Sequence, residues 1–84
     1  MVTWRRARDA RGLGQHIATL RRERRMTQAE LAQWLGVDRT TVVRLEAGNL
    51  RAVKRLTEAL SVLGADLVVV PREAQVTVEA ADRP

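Results

Sequence analysis

Apolar residues recur every three or four positions along residues 13–63, which is the spacing of amphipathic helices. Breaks in this spacing divide the stretch into four predicted helices, at about residues 11–25, 28–35, 39–47 and 50–63. Their expected core residues are, in chain order, Leu13, Ile17, Leu20, Leu31, Ala32, Leu35, Val42, Leu45, Val53, Leu56, Leu60 and Leu63. The last four resemble coiled-coil a and d positions. We expect them to pack on the first and third helices, with any uncovered part serving a dimer.

Specific signals mark the boundaries of the second and third helices. Thr27 and Glu30 have the spacing of a capping box, and Gly36 is expected to end the second helix in the left-handed conformation. Asp38 is expected to cap the third helix, which Gly48 closes, and Asn49 is expected to cap the fourth. Two short helices joined by a glycine turn, with exposed arginine and threonine on the second, form the helix-turn-helix pattern. The alternative is an unspecialised helical hairpin, which the coincidence of these signals disfavours.

Residues 66–70 read DLVVV and change the pattern, because this short β-branched run before Pro71 is typical of a strand. A lone strand leaves its backbone donors and acceptors unpaired. It is therefore expected to pair with residues 74–80, AQVTVEA, or with its own copy across a two-fold axis. The predicted dimerisation residues are Leu67, Val68, Val69 and Val70.

Residues 27–48, which read T-Q-x-E-L-A-x-x-L-G-V-x-x-x-T-V-x-x-L-E-x-G, resemble the Cro/repressor (XRE-type) helix-turn-helix family. The resemblance covers about residues 13–63. The stretch LGADLVVVPR, residues 63–72, resembles over a shorter length the C-terminal strand of HipB-type antitoxins. Together these resemblances imply a homodimer that binds a palindromic double-stranded DNA operator, regulates its own operon and neutralises a HipA-like kinase toxin.

The expected fold is mostly α: a four- to five-helix, repressor-like helix-turn-helix domain with a short C-terminal β-strand forming an intermolecular ribbon. Residues 1–12 are expected to form a basic N-terminal arm. Residues 13–64 are expected to form the DNA-binding domain. Residues 65–84 are expected to form a strand and a tail for dimerisation and possible partner contact. The arm either touches DNA or serves as a soluble lead-in.

The third predicted helix is expected to enter the major groove. Arg39, Thr40 and Arg44 are the predicted base-reading residues, because arginine binds guanine bidentately and threonine contacts bases or a thymine methyl. Thr41 and Val43 are secondary candidates, and Thr41 alternatively bonds a phosphate or its own helix. The predicted phosphate contacts are Gln28, Thr41, Arg51 and Lys54, of which Gln28 follows from the resemblance. For Arg51 and Lys54 the alternative is a solvated first turn of the fourth helix.

The resemblance also implies a partly buried ion pair between Arg21 and Glu46, which would lock the first helix to the third. The alternative is that both side chains are solvated. Trp34 lies outside the predicted core set. It is either a packing residue on the rim or an exposed anchor for a partner protein.

Charge is distributed unevenly along the chain, whose net charge is +5. Residues 1–55 hold 13 basic and 5 acidic residues, a net charge of +8, whereas residues 56–84 hold 2 basic and 5 acidic residues, a net charge of −3. A basic region around a helix-turn-helix indicates phosphate contact. An arginine-rich solvated surface would account for the choice of arginine but not for this distribution.

Other functions are disfavoured by what the sequence lacks. It has one histidine, His16, one serine, Ser61, and no cysteine, so we expect no enzyme, no metal site and no cofactor. The chain is also too short for a substrate pocket beside its core, and no small-molecule ligand is evident. No apolar run approaches the roughly 20 residues that span a membrane, and no signal peptide is evident, so a cytoplasmic protein without a membrane partner is expected.

The sequence therefore predicts a transcriptional repressor, with the antitoxin of a HipBA-like operon as the leading sub-class. One alternative is a stand-alone regulator of phage or prophage type without a toxin partner. A second is a protein-interaction module with the same fold, against which the basic region and the Arg39, Thr40 and Arg44 set argue.

Overall fold

The computed structural model describes residues 5–73, which form a mostly α-helical fold with one small sheet. The first four residues of the predicted arm, the possible strand at 74–80 and the rest of the tail lie outside the described residues. The elements in chain order are β1 (Arg5–Ala7), α1 (Ala10–Glu23), α2 (Gln28–Leu35), α3 (Arg39–Ala47), α4 (Arg51–Val62) and β2 (Leu67–Val69). Within residues 5–73, no helix combines the length and the apolarity needed to cross a membrane.

Local hydrogen bonds fix the ends of α2. Thr27 Oγ1 accepts a bond from the Glu30 amide at 3.0 Å, and Glu30 Oε1 accepts one from the Thr27 amide at 2.8 Å, so the predicted capping box is present. The bond that the Glu30 carboxylate accepts from the Thr27 amide lowers the pKa of Glu30. Gly36 ends the helix with φ +69°, a left-handed conformation that glycine adopts without a Cβ clash. Asp38 occupies the cap position of α3 but makes no capping bond with its side chain.

Close contact between α1 and α3 depends on small residues. A Cβ on Gly14 would lie 2.5 Å from the carbonyl oxygens of Leu45 and Glu46, so only glycine permits this approach. The neighbouring buried positions of α1 are also small, Ala10 and Ala18. The predicted core residues Leu13, Ile17 and Leu20 are only half-buried. The large side chains therefore flank the contact, and the small ones form it.

The helix-turn-helix core is centred on Val42 of α3, which is fully buried, and on Ala32 of α2. The prediction that Leu35 belongs to this core is wrong, since its side chain is 54% exposed, and Val37 in the turn is 39% exposed. The reason is that α2 packs mainly on α3, so side chains at the end of α2 are covered from one side only.

Helix α4 packs less closely than its apolar stripe predicts. Its main helical contact is α1, and its buried residue is Thr57, whose hydroxyl donates within the helix to the carbonyls of Val53 and Lys54. Two residues of the predicted stripe, Leu56 and Leu63, are 52% and 77% exposed, so they belong to the part that was expected to remain uncovered. The helix itself provides the hydrogen-bond acceptors for the Thr57 hydroxyl, so this polar side chain is buried without an unpaired group.

The start of α4 also differs from the prediction. Asn49 was the expected cap, but Leu50 occupies the cap position and makes no side-chain capping bond. The backbone amides at the start of α4 are thus left without a side-chain acceptor there.

The C-terminal strand has a partner within the chain. β2 pairs antiparallel with β1, with Arg5 opposite Val69, Arg6 opposite Val68 and Ala7 opposite Leu67. The prediction that this strand has no partner within the chain other than residues 74–80 is therefore wrong. Val70 follows β2 rather than belonging to it.

Contacts outside the sheet also hold β1, so residues 5–7 of the predicted arm are part of the fold. Ala7 is buried, the Arg6 carbonyl lies 3.0 Å from His16 Nε2, and Asp66 lies 3.4 Å from Arg6 Nε and 3.9 Å from Arg8 Nε. These ion pairs are largely exposed, and such pairs contribute little stability. Backbone pairing and the burial of Ala7 are the main forces that hold β1.

Candidate nucleic-acid interface

The outer face of α3 is open to solvent. Val42 and Leu45 turn inward, which directs the exposed residues Thr40, Val43, Arg44 and Ala47 outward. Three of the predicted or secondary base-reading residues, Thr40, Val43 and Arg44, therefore share this face. Thr41 is half-buried beside it.

Arg39 begins α3 and is held from the side by α2. Its Nη2 donates to Gln28 Oε1 at 3.1 Å, and Gln28 Nε2 donates in turn to Glu46 Oε1 at 3.0 Å. The predicted phosphate contact Gln28 thus bridges two residues of α3. The arrangement fixes the direction of the Arg39 guanidinium while leaving the side chain exposed.

Glu46 is also held by α1. Arg21 donates to it twice, from Nε to Oε2 at 2.6 Å and from Nη2 to Oε1 at 3.1 Å, and Arg21 Nη1 donates to the Met26 carbonyl at 2.7 Å. Only 10% of the Arg21 side chain and 7% of the Glu46 side chain are exposed, so the structure forms the pair that the family resemblance implied. The hydrogen bond from Arg21 lowers the pKa of Glu46, and the same bond raises the pKa of Arg21. Both groups remain charged, which links α1, α2 and α3 through one carboxylate.

A groove of about 560 Å³ lies where α3 ends. Its lining residues come from α1, the end of α3 and the start of α4: Arg11, Gln15, Glu46, Ala47, Gly48, Asn49 and Lys54. Lys54 was predicted to contact phosphate, whereas Arg11 and Gln15 were not identified as site residues. They lie one turn apart on the polar side of α1. Only the packing of α1 against α3 shows that they line the groove at the end of α3.

The cations at this surface are not neutralised by carboxylates of the described chain. Within residues 5–73, the arginines in ion pairs are Arg6, Arg8, Arg21 and Arg24, the last with Glu73 at 3.6 Å. The predicted DNA contacts with a positive charge are all exposed; they are Arg39, Arg44, Arg51 and Lys54. Arg51 lies at the start of α4, outside the groove lining. The surface around α3 therefore carries positive charge that is available to an anionic ligand.

A second exposed feature lies at the other end of α2. Trp34 is 81% exposed and, with Leu35 and Val37, makes an apolar patch that we call the end-of-α2 patch. Trp34 was predicted to be either a packing residue on the rim or an anchor for a partner protein. Its exposure shows that the side chain packs little against the described chain. Exposed aromatic residues of this kind are common in protein interfaces.

Within residues 5–73, no group of three histidine, cysteine, aspartate or glutamate side chains is placed to hold a metal ion. A family model described as a helix-turn-helix domain matches residues 12–74. No curated protein matches the chain, and no solved structure matches it. The matched stretch contains α2, α3, nearly all of α1 and every residue of the groove lining except Arg11.

Proposed function

This chain belongs to the helix-turn-helix domain family, a family of DNA-binding regulators, and from that premise we propose that α3 reads a specific duplex sequence. The observation that carries the proposal is the outer face of α3. Its exposed polar residues, Thr40 and Arg44, stand opposite the fully buried Val42, and the nearby cations Arg39 and Lys54 form no ion pair within residues 5–73. A helix presented in this way fits the major groove, which is about 12 Å wide.

Base reading falls to Thr40 and Arg44 on the outer face and to Arg39 at its N-terminal edge. An arginine discriminates guanine by donating to both O6 and N7, and threonine contacts a base edge or a thymine methyl. Lys54 and Arg11 face the groove at the end of α3, so we place a phosphate of the DNA backbone there. Arg51 and Thr41 are proposed as further phosphate contacts, and the exposed N-terminus of α2 at Gln28 as another.

The internal hydrogen bonds support this role by fixing α3 before DNA arrives. Glu46 joins Arg21 of α1 and Gln28 of α2, and Gln28 holds Arg39. Side chains that are already ordered lose less conformational entropy on binding. We therefore assign Gln28 a positioning role as well as its proposed phosphate contact.

A homodimer on a palindromic operator completes the proposal. Two copies related by a two-fold axis would place two α3 helices about 34 Å apart, on successive major grooves. Repression would follow from occupation of a promoter by this dimer in the cytoplasm.

Selection of binding sites from random duplexes tests the proposal directly. The wild-type chain should enrich a palindromic sequence, and the Arg39→Ala/Arg44→Ala double variant should enrich none. Circular dichroism should show the double variant as helical as the wild type, since both side chains are exposed. Enrichment of the same sequence by the double variant would contradict the assignment of α3.

For the sub-class, we propose the antitoxin of a HipBA-like operon. The support is the resemblance of residues 63–72 to HipB-type strands, together with the end-of-α2 patch as a surface for a kinase toxin. The test is co-purification with the product of the neighbouring gene, comparing wild type, Trp34→Ala and a chain truncated after Pro71. Retention of the neighbour by wild type and its loss with either variant is the expected result. Failure of wild type to bind it, with operator binding intact, favours a stand-alone regulator of phage type.

A further inference from the structure

Helix α4 leaves a regular apolar stripe uncovered. Ala52, Leu56, Ala59 and Leu63 follow one another at intervals of four, three and four residues, and all four are exposed. Leu56 is 52% and Leu63 77% exposed, and Val62 beside them is 86% exposed. These intervals are those of a and d positions in a helix pair, whereas the buried side of α4 is marked by Thr57. We call the four residues the α4 seam.

We propose that the α4 seam is covered by the same seam of a second copy of this chain, running antiparallel to it. This inference deepens the homodimer part of the proposed function and rests on it. The relevant partner is a second copy because the seam is complementary to itself. About a centre between Thr57 and Glu58, Leu56 faces Ala59 of the second copy, and Ala52 faces Leu63. Each large side chain thus meets a small one, the arrangement that fills space between helices.

The antiparallel direction follows from the same residues. A parallel pair would set alanine on alanine and leucine on leucine, leaving gaps beside crowded contacts. It would also bring the two copies of Arg55, an exposed residue that borders the seam, to the same height. In the antiparallel pair these two arginines are about 7–8 Å apart along the helix axis, at 1.5 Å per residue.

The residues that follow the described part of the chain are a poor cover for the seam. Residues 74–84 read AQVTVEAADRP, in which the larger apolar residues Val76 and Val78 are two positions apart. That interval suits a strand, whereas a seam with helical intervals requires contacts every three or four residues. This segment also contains no apolar side chain as large as leucine.

Sedimentation without DNA tests the surface independently of the proposed DNA binding. At tens of micromolar the wild-type chain should be a dimer, and Leu56→Glu should weaken its association by about tenfold or more. Ala59→Glu is the second variant, since it changes an exposed helical residue and keeps the test valid if Leu56→Glu unfolds. Trp34→Glu is the matched control, because it places the same charge on an exposed apolar residue of another helix and should leave the dimer intact.

A monomeric wild type, or a dimer that both seam variants leave unchanged, would overturn the inference. A dimer that fails to bind DNA would refute the proposed function and leave the seam standing. DNA binding by a protein that sediments as a monomer would refute the α4 seam and leave DNA reading by α3 standing. Loss of the dimer in Trp34→Glu alone would move the interface to the end-of-α2 patch.

Cysteine cross-linking tests the direction, and the chain has no cysteine of its own. An equal mixture of Ala52→Cys and Leu63→Cys should form a disulfide between the two variants. Neither variant alone should cross-link, because positions 52 and 63 are eleven residues apart, which separates identical sites by about 16 Å, beyond the reach of a disulfide. Cross-linking of each variant with itself, and not in the mixture, would show a parallel pair and contradict the proposal.

Discussion

Two parts of the molecule are stabilised in different ways: α1, α2 and α3 form the first unit, and α4 and the sheet, which each pack on α1, are taken together as the second unit. In the first, Glu46 joins the helices through a nearly buried ion pair, and Gly14 lets two backbones touch. In the second, α4 begins without a side-chain cap, Leu56 and Leu63 are exposed, and the ion pairs at Asp66 lie in solvent. Buried contacts join the helices of the first unit, although its end-of-α2 patch is exposed, whereas the second unit has exposed ion pairs and an exposed apolar helix face.

This difference corresponds to two proposed roles, base reading by α3 and association through α4. Base reading requires α3 to have one fixed orientation, which the contacts of the first unit provide before any ligand arrives. An exposed apolar helix face, by contrast, is typical of a surface that another molecule covers. The stability of the second unit should therefore depend on the second copy more than that of the first.

The largest expected effect separates the two kinds of ion pair. Glu46→Ala leaves the Arg21 guanidinium nearly buried without its carboxylate, so it should lower the free energy of unfolding by about 3–5 kcal/mol. Asp66→Ala removes pairs that are largely exposed and should cost less than about 1 kcal/mol. Urea unfolding of both variants measures the contrast. Equal losses of unfolding free energy in the two variants would show that the ion pairs of the two units contribute equally to stability.

The same pair gives a dependence on pH. Because Arg21 holds the pKa of Glu46 below its ordinary value of 4.5, the pair's contribution is fully present above pH 4.5. It is lost as pH falls through the lowered pKa, since the folded state then takes up a proton that the unfolded state already holds. Urea unfolding at several acidic pH values should show a smaller loss on acidification for Glu46→Ala than for wild type. An identical loss in the two proteins would contradict this account.

Two glycines provide the next contrast. Gly48 and Gly64 both have positive φ, +77° and +70°, so alanine at either should cost about 1–2 kcal/mol in backbone strain. A Cβ at Gly48 would also lie 2.6 Å from the Arg11 Cα, whereas one at Gly64 meets nothing within 4 Å in the described part of the chain. Gly48→Ala should therefore cost about 1–3 kcal/mol more than Gly64→Ala in thermal unfolding. Similar losses of stability in the two variants would mean that α1 does not contact the end of α3 closely.

The smallest effect concerns the caps inside the first unit. Thr27→Ala removes the hydroxyl that accepts from the Glu30 amide and should cost about 1 kcal/mol. Asp38→Ala is the matched control, since Asp38 holds the same position on α3 without a side-chain capping bond and should cost clearly less. Thermal unfolding of the two variants side by side checks the difference. A larger loss from Asp38→Ala would show that its carboxylate caps α3 in solution.

The sequence was informative where signals are local. The predicted ranges of α2 and α3 agree with the structure because Thr27, Gly36 and Gly48 mark helix ends by their own chemistry. The ion pair of Arg21 with Glu46 came from the family resemblance, since no local signal joins residues so far apart in the chain.

Features set by distant contacts were not predictable. β1 is three residues long and contains two arginines, so it has no alternation that would mark a strand, and its partner lies at the other end of the described chain. The exposure of Leu35 depends on which helices cover the end of α2. Likewise, Arg11 and Gln15 reach the groove only because Gly14 brings α1 against α3.

The central claim is that α3 reads bases while the cations around it hold phosphates. The most direct test measures the affinity of wild type, Arg44→Ala and Lys54→Ala for the selected duplex and for a scrambled duplex, over a series of salt concentrations. Arg44→Ala should lose about 1–3 kcal/mol on the selected duplex and little on the scrambled one. Lys54→Ala should weaken both alike and reduce the salt dependence by about one counterion. Full affinity of Arg44→Ala for the selected duplex, or equal losses on both duplexes, would contradict the account.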